Sequence, residues 1–370
     1  MKKNKHFIII AGESSGDEHG AQLMKNLQHE IPNISFSGLG GPKMARAGFV
    51  SLVSMDRLAI MGFWEVLKNI VFFLQLEKLV LQHIKHIQPD KVILIDYPGF
   101  NLRIAKKIKR LWNIKIIYYI SPQLWAWKEK RIAVIKKYID SLIVLFPFEV
   151  NWYKKRNVDV KYFGHPLVEK NLSITKPALN KKTAYNIALC PGSRQQEIKQ
   201  HLPILIKMVQ QAQSYNMALN FELFCAPNIQ TAFIKKFIQD DRIRINRGAI
   251  LTSFQNIDFA FVASGTASLE CAITLTPMVV IYKMSTLSWW ITKAFIKTPF
   301  ASIVNILANR PVVLELLQNK LTASRLLVIL QKYLHNPEKL QHKQNEILQI
   351  IKPLALKNAY KHTSAYIAKY

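Results

Sequence analysis

The sequence is poor in cysteine, in glycine and in acidic residues, and it contains no long apolar run. Its three cysteines, Cys190, Cys225 and Cys271, are too few and too scattered for a disulfide framework, which favours a reducing compartment. The best apolar run, Ile70 to Leu74, is far shorter than the roughly 20 residues that span a bilayer. The apolar stretch 7–11 is too short for an export signal. We therefore expect a soluble or peripheral protein that is not exported.

The shortage of acidic residues leaves a net charge of +28, from 51 basic and 23 acidic residues. The segment Arg103 to Lys161 alone contributes 15 basic and 4 acidic residues, which predicts a cationic face on the first half of the chain. An anionic membrane surface, a phosphorylated substrate or a nucleic acid would fit such a face. A lysine-rich composition that only keeps the protein soluble explains the same charge.

The chain alternates between short β-rich runs and longer stretches of helical period. The predicted strands are His6 to Ala11, Lys91 to Ile95, Lys115 to Ile120, Ser141 to Phe146, Asn186 to Cys190, Ala218 to Phe224, Asp258 to Val262 and Pro277 to Tyr282. Most are continuous runs of Val, Ile and Leu, as in strands that are covered on both faces. The pattern predicts an α/β fold with two doubly wound, Rossmann-like domains, each built on a parallel sheet.

We place the two domains at 1–165 and 186–318. The segment 166–185 between them has proline, asparagine and lysine without a sustained period, which is typical of a linker. From about Val312 onward only helical patterns remain, so 319–370 is predicted to form C-terminal helices. These helices either cross back onto the first domain or contact a second subunit.

Ligands of doubly wound folds bind beyond the carboxyl ends of the strands, so the loops that follow the predicted strands are the candidate site. The first of them, AGESSGD at 11–17, has neither the G-x-G-x-x-G nor the P-loop spacing. Its Glu13 and Asp17 disfavour an anion, and a sugar hydroxyl is the better ligand. The alternative is an acidic helix cap, from Ser14 or Asp17, with glycines for close packing.

Two more loops of the first half carry candidate chemistry. Asp96 ends a strong strand before the Pro98-Gly99 turn, where it serves as a general base if it reaches an acceptor hydroxyl, or merely caps the next helix. The tryptophans of the loop 121–131, SPQLWAWKEKR, would stack on a sugar, lie at a membrane interface or fill the core. The broad apolar face of Leu58 to Leu81 either packs in the core or docks on a membrane.

In the second half, two strand ends carry small residues and a cation. Gly192 and Ser193 turn the chain into a helix beside Arg194, which can clamp a diphosphate together with helix amides. The segment SGTASLE at 264–270 repeats this arrangement, and Glu270 can accept hydrogen bonds from ribose hydroxyls. The chain has neither an H-E-x-x-H nor a C-x-x-C pattern, so we predict no metal site and no cofactor.

These segments, in this order, resemble the lipid-A-disaccharide synthases, which are inverting glycosyltransferases of the two-domain GT-B type. The matching segments are AGESSGD, GLGGPKM at 38–44, MGFWEVL at 61–67, IDYPGFN at 95–101, SPQLWAWKEKR, FPFE at 146–149, GHP at 164–166, PGSRQQEI at 191–198, SGTASLE and IVNILA at 303–308. The resemblance spans about residues 6 to 318. It implies transfer of 2,3-diacylglucosamine from UDP to 2,3-diacylglucosamine 1-phosphate, which gives UDP and the β(1→6) lipid A disaccharide 1-phosphate.

The resemblance also implies roles for single residues. Asp96 would take the proton of the acceptor 6-hydroxyl, Arg194 would stabilise the departing diphosphate, and Asn305 and Glu13 would orient the sugars. The expected UDP-binding residues are Gly192, Ser193, Arg194, Ser264, Gly265, Thr266 and Glu270, and the expected acceptor or sugar contacts are Ser14, Ser15, Gly16, Asp17, Met61, Asn101, Gln123 and Trp125. Relatives can carry an acidic residue where this chain has Gly99, which excludes a second carboxylate in that turn.

A lipid substrate implies a peripheral protein on the cytoplasmic face of the inner membrane, with no nucleic acid as a partner. A homodimer is the further partner to be considered. The competing function is a UDP-sugar transferase that acts on another membrane-lipid or cell-wall precursor. The scarcity of arginine and the lack of a binding motif argue against a nucleic-acid binder, and the missing dinucleotide fingerprint argues against a dehydrogenase.

Overall fold

The computed structural model describes residues 4–58, 70–171, 184–212, 218–227, 229–238, 242–286, 289–290 and 296–370. The chain forms two compact units, which are treated separately below. The first unit comprises Met1–Pro166 together with Leu356–Tyr370, and the second comprises Leu167–Ala355. The last helix of the chain therefore belongs to the first unit.

The first unit is built on a seven-stranded parallel sheet in the order β3-β2-β1-β4-β5-β6-β7. Its strands are β1 (His6–Ala11), β2 (Ser35–Leu39), β3 (Phe49–Ser51), β4 (Lys91–Ile95), β5 (Lys115–Tyr119), β6 (Ser141–Val144) and β7 (Lys161–Tyr162). The central strands are apolar along their whole length, and both faces of β1 and β4 are buried. Such strands require helices on both sides of the sheet.

Helices cover this sheet on both faces. They are α1 (Ser14–Glu30), α2 (Pro42–Arg46), α3 (Met55–Leu58), α4 (Ile70–Ile87), α5 (Pro98–Leu111), α6 (Ile132–Tyr138), α7 (Pro147–Lys154) and α16 (Ala359–Lys369), with a 3-10 turn at Glu129–Arg131 before α6. The final helix, α16, packs on α1. The buried Lys91 side chain donates hydrogen bonds to the carbonyls of Ile367 (2.6 Å) and Ala368 (3.3 Å), so β4 caps the carboxyl end of α16.

The second unit is built on a six-stranded parallel sheet in the order β10-β9-β8-β11-β12-β13. Its strands are β8 (Ala184–Cys190), β9 (Ala218–Phe224), β10 (Ile243–Asn246), β11 (Phe259–Ala263), β12 (Met278–Tyr282) and β13 (Leu314–Leu317). Its helices are α8 (Pro166–Asn171), α9 (Gln195–Ala212), α10 (Thr231–Lys235), α11 (Ile250–Ser253), α12 (Thr266–Ile273), α13 (Ile303–Ala308), α14 (Ala323–Leu334) and α15 (Pro337–Ile351). The α/β fold with two doubly wound parallel sheets is confirmed.

Each of the eight predicted strands has a counterpart in the structure, with ends that differ by at most two residues. The prediction that only helices follow Val312 is wrong, because Leu314–Leu317 adds β13 to the edge of the second sheet. The short strands β2, β3, β7 and β10 were also missed. They are short or interrupted by polar residues, so their periodicity is weak.

The strand order places the candidate loops at the points where the sheets change winding direction. In the first sheet, β1 lies between β2 and β4, so the loops that follow β1 and β4 flank such a point. In the second sheet, β8 lies between β9 and β11, so the loops that follow β8 and β11 also flank a change of winding direction. Ligands of open α/β sheets bind at these points, beyond the carboxyl ends of the strands.

Candidate functional site

Asp96 is fixed in an unusual backbone conformation directly after β4. Asp96 and Tyr97 are both left-handed, with φ values of 44° and 49°. The Asp96 carbonyl accepts hydrogen bonds from Asn101 Nδ2 (2.7 Å) and from the Tyr118 hydroxyl (2.5 Å), and the Asp96 amide donates to the Tyr119 carbonyl (3.1 Å). Two consecutive left-handed residues without glycine cost free energy, and these three hydrogen bonds stabilise the turn.

The Asp96 carboxyl group has the electrostatics of a proton acceptor. Burial raises its pKa to about 7, and the nearby carboxylates of Glu13 and Glu149 also raise it, whereas the Tyr97 amide lowers it. A carboxyl group with a pKa near neutrality combines a substantial ionised fraction with high basicity. The structure thus places a candidate general base beside the first loop.

The loop after β1 packs directly on the Asp96 turn. A Cβ atom on Gly12 would lie 2.5 Å from Cδ1 of Tyr97, so a larger residue would push the two loops apart. Glu13 is half-buried at the N-cap position of α1, and Ser14 and Ser15 are exposed. These three residues are the accessible part of this loop.

Asp17 and Gly16, which are predicted sugar contacts, are buried. The Asp17 carboxylate accepts hydrogen bonds from the amides of Gly41 (2.9 Å), Lys43 (3.0 Å) and Met44 (2.9 Å). It satisfies the free amides at the start of α2. Asp17 therefore caps a helix, as in the alternative interpretation of the sequence. The helix that it caps is α2 and not α1, on which it lies.

Asn101 and Trp125, which are also predicted sugar contacts, are buried. Asn101 is fully buried, and its Nδ2 bonds the carbonyls of Ile95 and Asp96 beneath the turn. Trp125 is buried as well and donates from Nε1 to Glu149 Oε1 (3.1 Å). Gln123 is exposed on the same loop and stays a candidate contact. Met61 lies outside the described residues.

Glu149 is a buried carboxylate that sequence reasoning missed. It accepts four hydrogen bonds, from the Ser121 hydroxyl (3.1 Å), Trp125 Nε1 (3.1 Å) and the amides of Leu145 (3.2 Å) and Phe146 (3.0 Å). Burial raises its pKa to about 7, and these hydrogen bonds oppose that effect. Its signal in the sequence was an acidic residue in the first turn of a helix after a buried strand, within the FPFE segment.

In the second unit, Glu197 shapes the loop after β8. Its Oε2 accepts hydrogen bonds from the amides of Ser193 (3.1 Å) and Arg194 (3.3 Å), and its Oε1 pairs with Arg194 Nη1 (3.0 Å). Gly192 has a φ of +120°, where a side chain would be strained and would collide with Glu197. The carboxylate thereby orients Arg194, whose side chain is 53% exposed at the start of α9.

The loop after β11 is fixed by a hydrogen bond of Ser264 and is exposed at Gly265 and Thr266. The Ser264 hydroxyl donates to the Ala301 carbonyl (2.7 Å). Gly265 has a φ of +138°, and a Cβ atom there would meet no atom of the described residues within 4 Å. Thr266 is exposed at the start of α12, where the helix amides favour an anion. Burial raises the pKa of the half-buried Glu270 on the same helix to about 7.

Asn305, whose role in orienting the sugars stays a prediction, is buried. Its Oδ1 accepts from the amides of Val312 and Val313, both at 2.8 Å, and its Nδ2 donates to Glu315 Oε1 (2.7 Å). Glu315 in turn accepts from the Ala301 amide (2.9 Å), next to the carbonyl that holds Ser264. Asn305 is thus a positioning residue for the loop at 264–266.

His201 is a second positioning residue that the sequence did not reveal. It is fully buried on α9, with Nδ1 2.7 Å from the Pro191 carbonyl and Nε2 accepting from the Lys283 amide (2.8 Å). Burial lowers its pKa, which fits a neutral ring that donates from Nδ1. It ties the loop after β8 to the loop after β12.

The two units therefore present different chemistry at the carboxyl ends of their strands. The first unit holds a carboxyl group of raised pKa beside exposed hydroxyl-bearing residues, and the second holds an exposed arginine and open helix amides. Within the described ranges, no group of three or more His, Cys, Asp or Glu side chains is arranged to hold a metal ion. Two doubly wound parallel sheets with ligand loops of this kind define the GT-B glycosyltransferase class.

Solved structures show the same fold. The chain is similar to MurG of Acinetobacter baumannii, with a TM-score of 0.61 and 15% identity over 99% of this chain and 100% of the other. It is also similar to the UDP-GlcNAc 2-epimerase of Neisseria meningitidis bound to UDP-GlcNAc, with a TM-score of 0.67 and 11% identity over 99% of this chain and 100% of the other. At such low identity the likeness shows the fold alone.

The chain belongs to the lipid-A-disaccharide synthetase family, whose model matches residues 7–369. Lipid-A-disaccharide synthase 1 of Legionella pneumophila strain Philadelphia 1 is 37% identical over 368 residues, 97% of this chain and 96% of the relative. The lipid-A-disaccharide synthase of Coxiella burnetii strain CbuK_Q154 is 37% identical over 333 residues, 86% of each chain. Membership makes this chain a hexosyltransferase of lipid A disaccharide formation, which confirms the resemblance of its motifs.

Proposed function

We propose that this protein transfers 2,3-diacylglucosamine from its UDP conjugate to the 6-hydroxyl of 2,3-diacylglucosamine 1-phosphate. The products are the β(1→6) disaccharide 1-phosphate and UDP, with inversion at the transferred carbon. The observation that carries this proposal is Asp96, a carboxyl group with a pKa of about 7 in a turn that packing and hydrogen bonds hold fixed. Family membership supplies the substrate class.

The step at Asp96 is a proton transfer coupled to displacement. The acceptor 6-hydroxyl gives its proton to the Asp96 carboxylate while its oxygen forms a bond to C1 of the donor sugar. The bond from C1 to the diphosphate oxygen breaks on the opposite face, and UDP leaves with the electron pair. One carboxylate suffices because the diphosphate needs charge stabilisation and no proton, unlike the leaving groups of two-carboxylate hydrolases. Glu13 orients the sugar beside Asp96.

The donor diphosphate binds to the second unit in this proposal. Arg194 supplies the charge, and the amides of Gly265 and Thr266 supply hydrogen bonds, since both loops are open to a ligand. Gly192, Ser193 and Ser264 line the same loops, and Glu270 accepts hydrogen bonds from the ribose. No metal or cofactor takes part, so addition of EDTA is expected to leave the transfer rate unchanged.

The lipid substrates are reached at a membrane surface, through helix α4. No described helix of the chain is long and apolar enough to cross a bilayer. One face of α4 packs in the core with Phe73, Leu76 and Val80, whereas Val71 is 62% exposed and Leu74 is 49% exposed. Lys78 and Lys85 follow on the same helix. Such a face suits the cytoplasmic surface of the inner membrane, where anionic lipids attract lysines.

Vesicle binding at rising salt tests this docking face. Loss of binding at high salt would indicate electrostatic attraction, because screening weakens it, and persistence would indicate apolar insertion. Val71→Ser with Leu74→Ser should weaken binding in the second case. Binding that neither salt nor these substitutions affect would contradict docking through α4.

The central experiment measures UDP release from UDP-2,3-diacylglucosamine with and without 2,3-diacylglucosamine 1-phosphate. Release that requires the lipid acceptor establishes donor, acceptor and reaction together. UDP binding without release in the presence of this acceptor would overturn the acceptor assignment. A screen of other lipid and cell-wall sugar acceptors would then test the competing transferase function.

A further inference from the structure

A turn between β5 and α6 brings two cations together beside an exposed indole. Lys128 is left-handed, with φ of 53°, and the Arg131 amide donates to the Lys128 carbonyl (3.0 Å), which closes the turn. Lys128 Nζ lies over the Trp127 ring, 4.3 Å from its centroid, and Trp127 is 42% exposed. Arg131 is half-buried. We call Trp127, Lys128 and Arg131 the cation turn.

The two charges of the cation turn have no ion-pair partner among the described residues. Within the described part of the chain, neither Lys128 Nζ nor the Arg131 guanidinium donates a hydrogen bond or forms an ion pair. The carboxylate between them, Glu129, pairs with Arg156 Nε at 2.6 Å on α7. By contrast, Arg103 and Lys107 on α5 both pair with the buried Glu77.

The position of Arg131 costs free energy that an anion would recover. Burial lowers the pKa of Arg131 and of Lys128, and the charge of Arg131 lowers the pKa of Lys128 further. Two like charges held close together in a partly desolvated place are unfavourable without a counter-ion. A phosphate group, with several acceptor oxygens, matches a guanidinium beside an ammonium group.

The cation turn lies close to the candidate base. The cation turn follows β5, which is the parallel neighbour of β4 in the sheet, so the turn and Asp96 lie beyond the same edge. Tyr118 on β5 donates its hydroxyl to the Asp96 carbonyl at 2.5 Å, and the pKa of this phenol is raised by burial and lowered by the charge of Arg131. In a hexosamine 1-phosphate, C1 carries the phosphate and C5 carries the 6-hydroxymethyl group, and both carbons are bonded to the ring oxygen. The phosphate and the reacting hydroxyl are thus near neighbours in such a sugar.

We propose that Lys128 and Arg131 bind the phosphate monoester of the acceptor sugar while its 6-hydroxyl faces Asp96. This subsite rests on the proposed function. It adds to that function a way to select an acceptor that carries a phosphate. It binds the ground state and the transition state alike, so its loss raises the acceptor KM and leaves kcat nearly unchanged. The charged acceptor is thereby distinguished from the same sugar without phosphate.

The test compares two acceptors, 2,3-diacylglucosamine 1-phosphate and 2,3-diacylglucosamine, in neutral detergent micelles. Arg131→Gln should raise the KM of the phosphorylated acceptor about 10-fold or more, the effect of losing a charge-assisted hydrogen bond, and change that of the unphosphorylated acceptor less than about 2-fold. Lys128→Gln should act in the same direction, and Arg131→Lys should recover part of the loss. Lys130→Gln, which removes an exposed charge from the same turn, is the matched control.

Three outcomes would overturn the subsite. The first is an unchanged KM in both glutamine variants, and the second is an equal loss with both acceptors. The third is weaker binding of Arg131→Gln to phosphatidylglycerol vesicles with unchanged acceptor discrimination, which would make the bound phosphate a membrane headgroup. A wild-type protein that transfers to neither acceptor would instead refute the proposed function. The exposed Lys128 provides an independent test if Arg131→Gln does not fold.

Discussion

The loops at the carboxyl end of the first sheet differ in burial and charge from those of the second. Asp96 and Glu149 are carboxyl groups whose pKa values burial raises to about 7. The second sheet instead presents Arg194 with an exposed side chain and Gly265 with open space in front of it. A base gains proton affinity from a poorly solvated place, whereas a large charged donor needs an accessible one. The difference supports the proposal of proton transfer at the first unit and diphosphate binding at the second.

Both sets of loops are nevertheless held by hydrogen bonds from buried polar side chains. Asn101 and Tyr118 hold the Asp96 turn. Asn305 and Glu315 hold the loop that carries Ser264 through Ala301. Buried hydrogen bonds of this kind restrict the movement of a loop, so the two regions are fixed in the same way and differ in the side chains that they expose.

The largest expected effect is on the turnover that depends on Asp96 in the first unit. Asp96→Asn should lower kcat at least about 100-fold, the scale of lost acid-base catalysis, because an amide cannot accept the proton. UDP affinity, measured by calorimetry, should stay near that of the wild type. Asp159→Asn removes a carboxylate that is 82% exposed and serves as the control. Near-normal turnover of Asp96→Asn would remove this residue from the role of base.

The next largest effect is on the stability that the hydrogen bonds of Asn305 give to the second unit. Asn305→Ala leaves the Val312 and Val313 amides without their acceptor and removes one of the donors to Glu315, which should cost on the order of 2 kcal/mol of unfolding free energy. Chemical denaturation measures this loss, and UDP affinity should fall with it. The exposed Asn256→Ala is the control. Wild-type stability combined with lost turnover would instead restore Asn305 as a catalytic residue.

A moderate effect concerns diphosphate binding. Arg194→Gln should weaken UDP binding about 10-fold, because one charge-assisted contact in an exposed place is lost. Arg310→Gln is a close match, since Arg310 has the same 53% exposure and also pairs with a glutamate, Glu346. If both variants bind UDP equally, the second unit does not bind the donor through Arg194.

The smallest effect concerns the electrostatics around the base. The transfer rate should fall as the pH drops through about 7, because protonated Asp96 cannot accept a proton. Glu149→Gln removes a charge that raises the pKa of Asp96, so this limb should move to lower pH by roughly half a unit. Glu129→Gln, which breaks a surface pair with Arg156, should leave the limb in place. A shift to higher pH in Glu149→Gln would contradict this electrostatic influence.

Much of the fold could be predicted because its central strands are continuous apolar runs. A strand of this kind can be recognised from its own residues alone, as β1 and β4 were. The edge strands β3 and β13 could not be recognised, since short half-exposed segments gain their strand conformation by pairing with a neighbour. The segment Leu314–Leu317 shows this, because its residues fit a helical pattern equally well.

The sequence by itself determined the two parallel-sheet units and the order of the ten motifs, which led to the family. It also singled out Asp96 and Arg194, because residue type and position after a strand depend only on local pattern. The tertiary structure decided which polar residues face a ligand and which are buried. Asp17, Asn101 and Asn305 fit a sugar site by sequence, yet each is buried and hydrogen-bonded to backbone groups of its own unit. Burial and pKa are properties of the packed neighbourhood, and a linear sequence does not contain them.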